Sequence, residues 1–254
     1  MGQGCTGCRD GTGFDMPITT AFQPIVDVET GAVVAYEALV RGQGGEGAPD
    51  VLARVTENNR YAFDQLCRVT AIRKAVAAGL LETDAKLSIN FLPNAVYSPV
   101  ACIRLTLATA RELSLPVNRL VFEFTENEEI STDHLRSIIQ AYRALGFGTA
   151  LDDFGAGHSG LQLLANFRTD GIKLDLSLVR GIDGDWRRQQ IVRSVLVLAD
   201  GLGTRCTVEG VETEAEALML RSLGARYMQG FLFARPAVGV LPLPQFSFQE
   251  LRAA

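Results

Sequence analysis

Two β-like runs of apolar residues open the patterned part of the chain. They cover residues 21–28 and 32–40, and only Glu29-Thr30-Gly31 lie between them. A connection this short joins antiparallel neighbours, because a parallel pair needs a crossover of about a dozen residues or more. The first two strands are therefore predicted to form an antiparallel hairpin.

Beyond the hairpin, helical patterns alternate with short apolar runs. The predicted helices cover residues 62–80, 99–113, 132–145, 187–202 and 214–223, the last after a capping box of Thr213 and Glu216. The predicted strands between them cover residues 86–91, 120–124, 148–151, 171–174, 205–208 and 227–233, which makes eight strands with the hairpin. This pattern predicts an α/β fold, a modified (βα)8 TIM-like barrel with the first strand antiparallel. A doubly wound open sheet is the competing architecture.

The N-terminal segment differs from the rest of the chain. Residues 1–17 are rich in glycine and show no periodicity, which predicts a flexible tail before one barrel domain over residues 18–254. Cys5 and Cys8 in this tail form a single Cys-x-x-Cys, which is a weak signal. Two interpretations stay open for the pair: a solvated tail, or a metal-binding or redox-sensitive site.

Composition and charge narrow the classes of partner. The chain has 254 residues, 47% of them apolar, and carries a net charge of −5 without a dense basic cluster, so a long nucleic acid is not expected. The apolar stretch at residues 191–199 is interrupted by Arg193 and Ser194 and is far shorter than the ~20 residues that span a bilayer, so no membrane contact is expected. The first 16 residues lack the apolar segment of a signal peptide. Five scattered cysteines suit free thiols, and the expected location is the cytoplasm.

Polar side chains mark the end of nearly every predicted strand. Seven consecutive strands, from the second to the eighth, deliver one at or near the C-terminal end: Glu37, Asn90, Glu123, Asp152 with Asp153, Lys173, Glu209 and Gln229. In a barrel these ends converge on one mouth, which is the face where active sites of such folds lie. A single carboxylate there could merely cap a helix, but seven in series predict a site.

The charges of this set indicate what the site binds. Five carboxylates and one lysine leave a net charge of about −4, which crowded carboxylates do not sustain without cations. Two divalent ions supply +4, and carboxylate and amide oxygens are the ligands that Mg²⁺ or Mn²⁺ prefers. Neither histidine joins the set: His134 is predicted to be structural, and His158 follows the Asp pair in a loop, where a substrate contact stays open. Paired metals of this kind serve phosphodiester hydrolysis.

The ordered motifs resemble those of a known family. They read Glu37-Ala38-Leu39-Val40-Arg41, Asn90, Glu123-Phe124-Thr125-Glu126, Asp152-Asp153-Phe154-Gly155, Lys173-Leu174-Asp175, Glu209-Gly210-Val211-Glu212 and Gln229-Gly230-Phe231. Over residues 22–236 the chain resembles the EAL-domain cyclic-di-GMP phosphodiesterases. The resemblance implies hydrolysis of cyclic di-GMP to linear 5′-pGpG in bacterial second-messenger signalling. It also implies dependence on two Mg²⁺ or Mn²⁺ ions, and a homodimer.

The resemblance further implies a role for individual residues. It assigns one metal ion to Glu37, Asn90, Glu123 and Asp152. A second ion is shared by Asp152, Asp153 and Glu209. The catalytic group comprises Glu37, Asp152, Lys173 and Glu209, with Lys173 orienting the attacking water and Glu209 as candidate general base. Substrate contacts fall to Gln23, Leu39 and Arg41, although a surface ion pair is open for Arg41. The supporting residues are Glu126, Asp175, Glu212 and Gln229.

Some features depart from the family or favour another function. The third-strand motif reads Ser88-Ile89-Asn90-Phe91-Leu92-Pro93, and the loop after the Asp pair reads Gly155-Ala156-Gly157-His158-Ser159, but neither change removes a ligand. Gly155, Gly157 and Gly160 imitate a dinucleotide-binding fingerprint with Asp175 beyond them, although the adjacent Asp pair would repel a pyrophosphate. The main alternative is a non-catalytic cyclic-di-GMP receptor or protein-interaction module. Every expected metal ligand is present, which favours catalysis over binding alone. We also expect a sensory or regulatory protein partner that controls the activity.

Overall fold

The computed structural model describes residues 13–125, 131–157 and 160–246 of the chain. Nine strands lie in these ranges, and most are short. They are β1 (Ile18–Asp27), β2 (Val33–Gly42), β3 (Lys86–Asn90), β4 (Leu120–Thr125), β5 (Gly148–Phe154), β6 (Gly171–Leu174), β7 (Arg205–Val208), β8 (Tyr227–Met228) and β9 (Ala237–Val238).

Nine α-helices occur in the same described ranges. They are α1 (Ala48–Leu52), α2 (Arg60–Ala77), α3 (Pro99–Cys102), α4 (Arg104–Glu112), α5 (Thr132–Ala144), α6 (Gly160–Asn166), α7 (Leu176–Val179), α8 (Trp186–Gly201) and α9 (Glu214–Ser222). Single turns of 3₁₀ helix lie at Leu80–Glu82, Pro93–Ala95 and Val117–Arg119. No helix of the described part is long and apolar enough to cross a membrane.

The strands close into a barrel. β2 to β8 follow one another as parallel neighbours, and β1 closes the ring by pairing antiparallel with both β2 and β8. β9 adds a short antiparallel pairing to β1 outside the ring. The predicted TIM-like barrel with an antiparallel first strand is confirmed, and the open doubly wound sheet is not formed.

Several predicted boundaries were wrong for local reasons. The helix predicted at 99–113 is two helices that meet at Ile103, and the strand predicted at 227–233 ends at Met228 because a turn follows. The helices α1, α6 and α7 were missed because five, seven and four residues are too few to show a helical period. The capping box of Thr213 and Glu216 forms as predicted, with each side chain bonded to the other's backbone N–H.

Aromatic and aliphatic side chains fill the layer between the barrel and its helices. Phe91, Phe122, Tyr142 and Phe147 form a connected aromatic group there, with ring centroids 5.0 to 6.0 Å apart. Part of the predicted tail also packs, because the Phe14 ring lies 4.9 Å from Phe63. Residues 1–12, with Cys5 and Cys8, lie outside the described residues. The core therefore holds the strands in a fixed register and positions their inward side chains.

Candidate active site

Alternation along the strands places the predicted polar residues inside the barrel at one end. Asn90 and Glu123 lie side by side in the register of β3 and β4. Glu37 was predicted at the end of its strand, and this is wrong. It lies in the middle of β2, which runs on to Gly42 with β1 as its partner, whereas β3 ends at Asn90. Glu37 is paired with Ser88 in the middle of β3 but still faces the same mouth, where Asn90 Nδ2 donates to its Oε1 at 3.0 Å.

Asp152 and Asp153 are consecutive, and a regular strand would point them to opposite faces. The register of β5 against β6 shifts between Leu151 and Phe154, and Asp153 has a φ of 54°. This left-handed conformation is uncommon outside glycine, although Asp and Asn adopt it more readily than most residues. The bulge turns Asp153 toward the mouth, so that both carboxylates reach the same site.

Lys173 lies at the centre of the acidic groups. Its Nζ is 2.6 Å from Glu209 Oε1, 2.9 Å from Glu123 Oε2, 3.1 Å from Asp152 Oδ1 and 3.3 Å from Glu37 Oε2. The lysine is 2% exposed, and Glu123 is 1% exposed. A single buried ammonium therefore contacts four carboxylates, which leaves the cluster strongly negative.

The acidic residues fall into two groups whose oxygens approach closely. Carboxylate oxygens of Glu37, Glu123 and Asp152 lie within 4.8 Å of one another, and so do those of Asp152, Asp153 and Glu209. Asp152 belongs to both groups. Such clusters of hard oxygen donors fit divalent cations such as Mg²⁺, Mn²⁺ or Ca²⁺, and a shared carboxylate fits a pair of ions.

The buried cluster shifts the pKa values of its members. Burial, together with the charges of Glu37 and Asp152, raises the pKa of Glu123 to about 8 despite Lys173. Burial and the charges of Asp152 and Asp175 raise the pKa of Asp153 to about 6. Burial likewise raises the pKa of Glu209 well above its usual range. Cations that bind here must therefore compete with protons near neutral pH.

Glu37 behaves differently from its neighbours. Burial pushes its pKa up, but Lys173 and the hydrogen bonds from Gln229 and Asn90 outweigh burial and hold the pKa below its usual value. Gln229 Nε2 donates to Glu37 Oε2 at 2.6 Å and to Gln23 Oε1 at 3.1 Å. Gln23 Nε2 in turn donates to the Ala234 carbonyl at 3.1 Å. This relay ties the ionised Glu37 to the backbone after β8.

Two of the three predicted substrate residues, Gln23 and Leu39, line a cavity at the mouth. The cavity has a volume of about 290 Å³, and its wall includes Gln23, Leu39 and the acidic residues Glu37, Asp152, Asp153 and Glu209. Both ends of the Gln23 amide already form hydrogen bonds in the relay, because its oxygen accepts from Gln229 and its nitrogen donates to the Ala234 carbonyl. Arg41 lies further along β2, where its guanidinium donates to the Val40 carbonyl at 2.7 Å.

Sequence reasoning missed two apolar residues of the rim. Leu176 and Phe231 line the cavity and are 47% and 44% exposed. Phe231 carries the Arg235 guanidinium over its ring at 4.3 Å. Its position depends on Gly230, where an added Cβ would lie 2.0 Å from the Val211 carbonyl oxygen. The sequence signal that could have indicated Phe231 was its aromatic side chain directly after Gln229-Gly230.

The remaining predicted residues lie at the edge of the site or outside the described residues. Asp175 caps α7, because its carboxylate accepts from the Ser177 N–H at 2.9 Å. Glu212 lines the cavity but forms an ion pair with Arg180 at 2.5 Å instead of contacting the acidic groups. His134 lies in the first turn of α5 and does not line the cavity at the mouth. Glu126 and His158 lie outside the described residues.

Comparison with known proteins identifies the family. The family model described as the EAL domain matches residues 17–236. The chain belongs to the EAL-domain family. This EAL domain is 30% identical over 223 residues to the blue light- and temperature-regulated antirepressor BluF of Escherichia coli, which is 87% of this chain and 55% of BluF. It is 32% identical over 224 residues to the cyclic di-GMP phosphodiesterase RocR of Pseudomonas aeruginosa, covering 85% of this chain and 56% of RocR.

Solved structures give the same result for the fold. The EAL domain matches a standalone EAL protein of Vibrio cholerae O395 in a c-di-GMP bound form, with a TM-score of 0.87, 48% identity, and coverage of 91% of this chain and 97% of the other. It matches a manganese and cyclic di-GMP complex of Klebsiella pneumoniae BlrP1 with a TM-score of 0.84, 35% identity, and coverage of 91% and 58%. The chain spans between 31% and 56% of the length of curated relatives such as BluF and RocR.

Proposed function

We propose that this EAL domain hydrolyses cyclic di-GMP to linear 5′-pGpG with the help of two divalent cations, Mg²⁺ or Mn²⁺. The observation that carries the proposal is the pair of acidic groups that share Asp152. Relatives named as cyclic di-GMP phosphodiesterases and structures of EAL proteins with c-di-GMP and manganese support the substrate and the metal class.

The donor set fits two ions of this class. One would be held by Glu37, Asn90, Glu123 and Asp152, and the other by Asp152, Asp153 and Glu209. When bound, such ions polarise the phosphodiester and lower the pKa of a bound water. The bulge at Asp153 supports this assignment, because a strained conformation persists where the surrounding structure and function require it.

The protein residues have separate tasks in the hydrolysis. Glu209 is the group we assign to accept the proton of the attacking water, because its carboxylate lines the cavity at the mouth and lies 2.6 Å from Lys173. Lys173 orients that water and balances part of the negative charge. The water oxygen forms a bond to phosphorus, the bond from phosphorus to the 3′ oxygen breaks, and the leaving oxygen takes a proton. The product keeps its 5′ phosphate, as 5′-pGpG requires.

The rim supplies the groups for substrate recognition. Leu39, with Leu176 and Phe231, offers apolar surface on which a guanine base can stack or pack. Arg41 is suited to a phosphate because its guanidinium donates in a planar fork, and it would exchange the Val40 carbonyl for that phosphate. Gln23, Gln229, Glu212 and Asp175 support these groups, and for Glu126 the supporting role stays a prediction.

The setting in which the domain works is part of the same proposal. A homodimer is the assembly that we expect, since α8 leaves Trp186 and Val197 67% and 69% exposed and Leu161 of α6 is 66% exposed. Light scattering on the purified chain would give the mass. A sensory or regulatory protein partner and a cytoplasmic location stay predictions.

The second candidate function is a cyclic di-GMP receptor or interaction module without turnover, favoured by the antirepressor name of BluF. Incubation of the purified protein with cyclic di-GMP and Mn²⁺ or Mg²⁺, with an EDTA control, distinguishes the two by chromatography of the products. Metal-dependent pGpG supports the phosphodiesterase. Binding without product supports the receptor, and product in the presence of EDTA contradicts the two-metal assignment.

A further inference from the structure

A second cavity lies inside the barrel, on the far side of the acidic cluster from the mouth. It has a volume of about 270 Å³. Glu123 and Lys173 form one end of it. At the other end it reaches Lys86 and Arg205, the first residues of β3 and β7, and the exposed Gly203. We call this cavity the lower chamber. It opens at the N-terminal end of the barrel, whereas the mouth opens at the C-terminal end.

The lower chamber exists because most inward side chains of the barrel's middle layer are small. Five small residues lie two positions before polar residues of the mouth, namely Ala35, Ser88, Ala150, Gly171 and Thr207, and only Val121, two positions before Glu123, is bulky among the chamber-lining residues so placed. Barrels of this type normally fill such positions with bulky branched residues. The small residues therefore leave a space that side chains do not fill.

Two of these side chains carry hydroxyl groups that need a partner. Ser88 and Thr207 are 3% and 5% exposed. Within residues 13–125, 131–157 and 160–246 neither hydroxyl forms a hydrogen bond to protein, and neither is fully enclosed by protein atoms, since both line the lower chamber. Buried polar groups in native proteins are almost always hydrogen-bonded to protein or to ordered water. A polar cavity of this size has room for several waters.

We propose that the lower chamber is a water site of the folded protein, with ordered water bound by Ser88 and Thr207 and in contact with Glu123 and Lys173. Solvent then reaches the buried ion pair of Glu123 and Lys173 from the side opposite the mouth. The water offsets part of the cost of burying this pair, because each charged group keeps some hydration. This hydration of the Glu123–Lys173 ion pair does not require that the domain be catalytically active.

A pair of isosteric substitutions tests the proposal by the sign of a stability change. Thr207→Val removes a hydroxyl that the proposal pairs with water, so the midpoint of thermal unfolding should fall by roughly 2–4 °C. Thr106→Val is the matched control. Thr106 on α4 is fully buried, its hydroxyl has no hydrogen-bond partner among the described residues, and it lines neither the lower chamber nor the cavity at the mouth. Losing it should leave stability unchanged or higher. Thr207→Ser should keep the water and show a smaller loss than Thr207→Val.

A substitution that fills the chamber gives an independent test. Ala150→Val places two more methyl groups in the chamber, and thermal unfolding in EDTA should show lower stability, because apolar atoms replace water on polar groups. A crystal structure should show water on Ser88 Oγ and Thr207 Oγ1. A chamber without ordered water in that structure would overturn the proposal. An increase of the unfolding midpoint in both Thr207→Val and Ala150→Val would also overturn it, because apolar atoms that fill an empty cavity stabilise the protein.

Discussion

Two clusters of buried charge lie on opposite faces of the barrel wall. On the outer face, Asp64 and Arg68 of α2 form an ion pair at 2.5 Å and are 2% and 0% exposed. The Leu92 N–H donates to Asp64 at 3.0 Å, and Arg68 donates to the Tyr142 hydroxyl at 3.0 Å. On the inner face, Lys173 contacts four carboxylates, with Asp153 beside them.

The two clusters share burial and differ in charge balance. The outer pair sums to zero, and the Arg68 guanidinium also lies 5.2 Å from the centre of the Phe122 ring, so the charge of each member faces a partner even though Arg68 Nε donates no hydrogen bond within the described residues. The inner cluster retains a net charge of about −4 when all members are ionised. Burial of charge alone therefore does not identify a functional site. A charge imbalance that bound protons or bound metal ions must offset does identify one.

The largest effect is expected where the two groups of the inner cluster meet. Asp152→Asn keeps the shape and the acceptor for Lys173 but removes a ligand from both proposed ions. Turnover of cyclic di-GMP should fall by more than the roughly 10–100-fold typical for residues that only support metal ligands. Because the change relieves repulsion, the unfolding midpoint in EDTA should be equal or higher. Asp64→Asn is the control from the balanced pair: it should lower stability and leave the turnover of folded protein nearly unchanged.

The outer pair should respond in the opposite way to loss of one partner. Arg68→Met leaves Asp64 buried without its counter-charge, so the free energy of unfolding in urea should fall by about 3–5 kcal/mol. Replacing both residues, as Asp64→Leu with Arg68→Met, should recover part of that loss because no charge is left unpaired. A loss below about 1 kcal/mol for Arg68→Met would mean that the pair is not a structural element of the kind described.

The relay that holds Glu37 should have a moderate effect. Gln229→Leu removes the donor at 2.6 Å from Glu37 and the link to Gln23. The affinity for Mn²⁺, measured by calorimetry, should drop roughly 10–100-fold, because an unsupported ligand loses its orientation. Gln43→Leu is the matched control, since the Gln43 amide also donates a hydrogen bond, to the Ile18 carbonyl, but lies outside the cluster. Equal Mn²⁺ affinities for the two variants would mean that Gln229 does not help Glu37 to bind metal.

The smallest effect is a dependence of stability on pH in the absence of metal. The folded protein holds protons on Glu123 up to about pH 8 and on Asp153 up to about pH 6, where the unfolded chain has lost them. Stability in EDTA should therefore fall as the pH rises from 5 to 8. Saturating Mn²⁺ should cancel the fall. Glu123→Gln should flatten the curve, and a curve that rises with pH in EDTA would contradict these pKa directions.

Much of the fold could be predicted from the sequence because its periodic signals are long. The alternation of helices and strands predicted the barrel, and the three residues between the first two strands predicted the antiparallel β1. Parallel strands end at the same edge, so the polar residues at their ends could be predicted to meet. The short helices and the break at Ile103 could not be predicted from the sequence, because tertiary packing determines them.

The finer features of the site depend on contacts between distant residues. The bulge at Asp153 depends on the register of β5 against β6, which the sequence pattern does not reveal. The relay joins Gln23, Gln229 and the Ala234 carbonyl across more than 200 residues. The role of Arg68 could not be predicted from the sequence, because its partner Tyr142 is 74 residues away. The rim residue Phe231 had a signal in its exposed aromatic ring beside Gly230, but burial is needed to read it.

The most direct test of the central claim is a Mn²⁺ titration of the metal-free protein at pH 8, followed by calorimetry. The imbalance of the inner cluster predicts two ions bound per chain in the wild-type protein and loss of tight binding at both positions in Asp152→Asn, with Asp64→Asn unchanged. No binding by the folded wild-type protein, or the same two ions bound by Asp152→Asn, would contradict the claim that this cluster is a two-cation site.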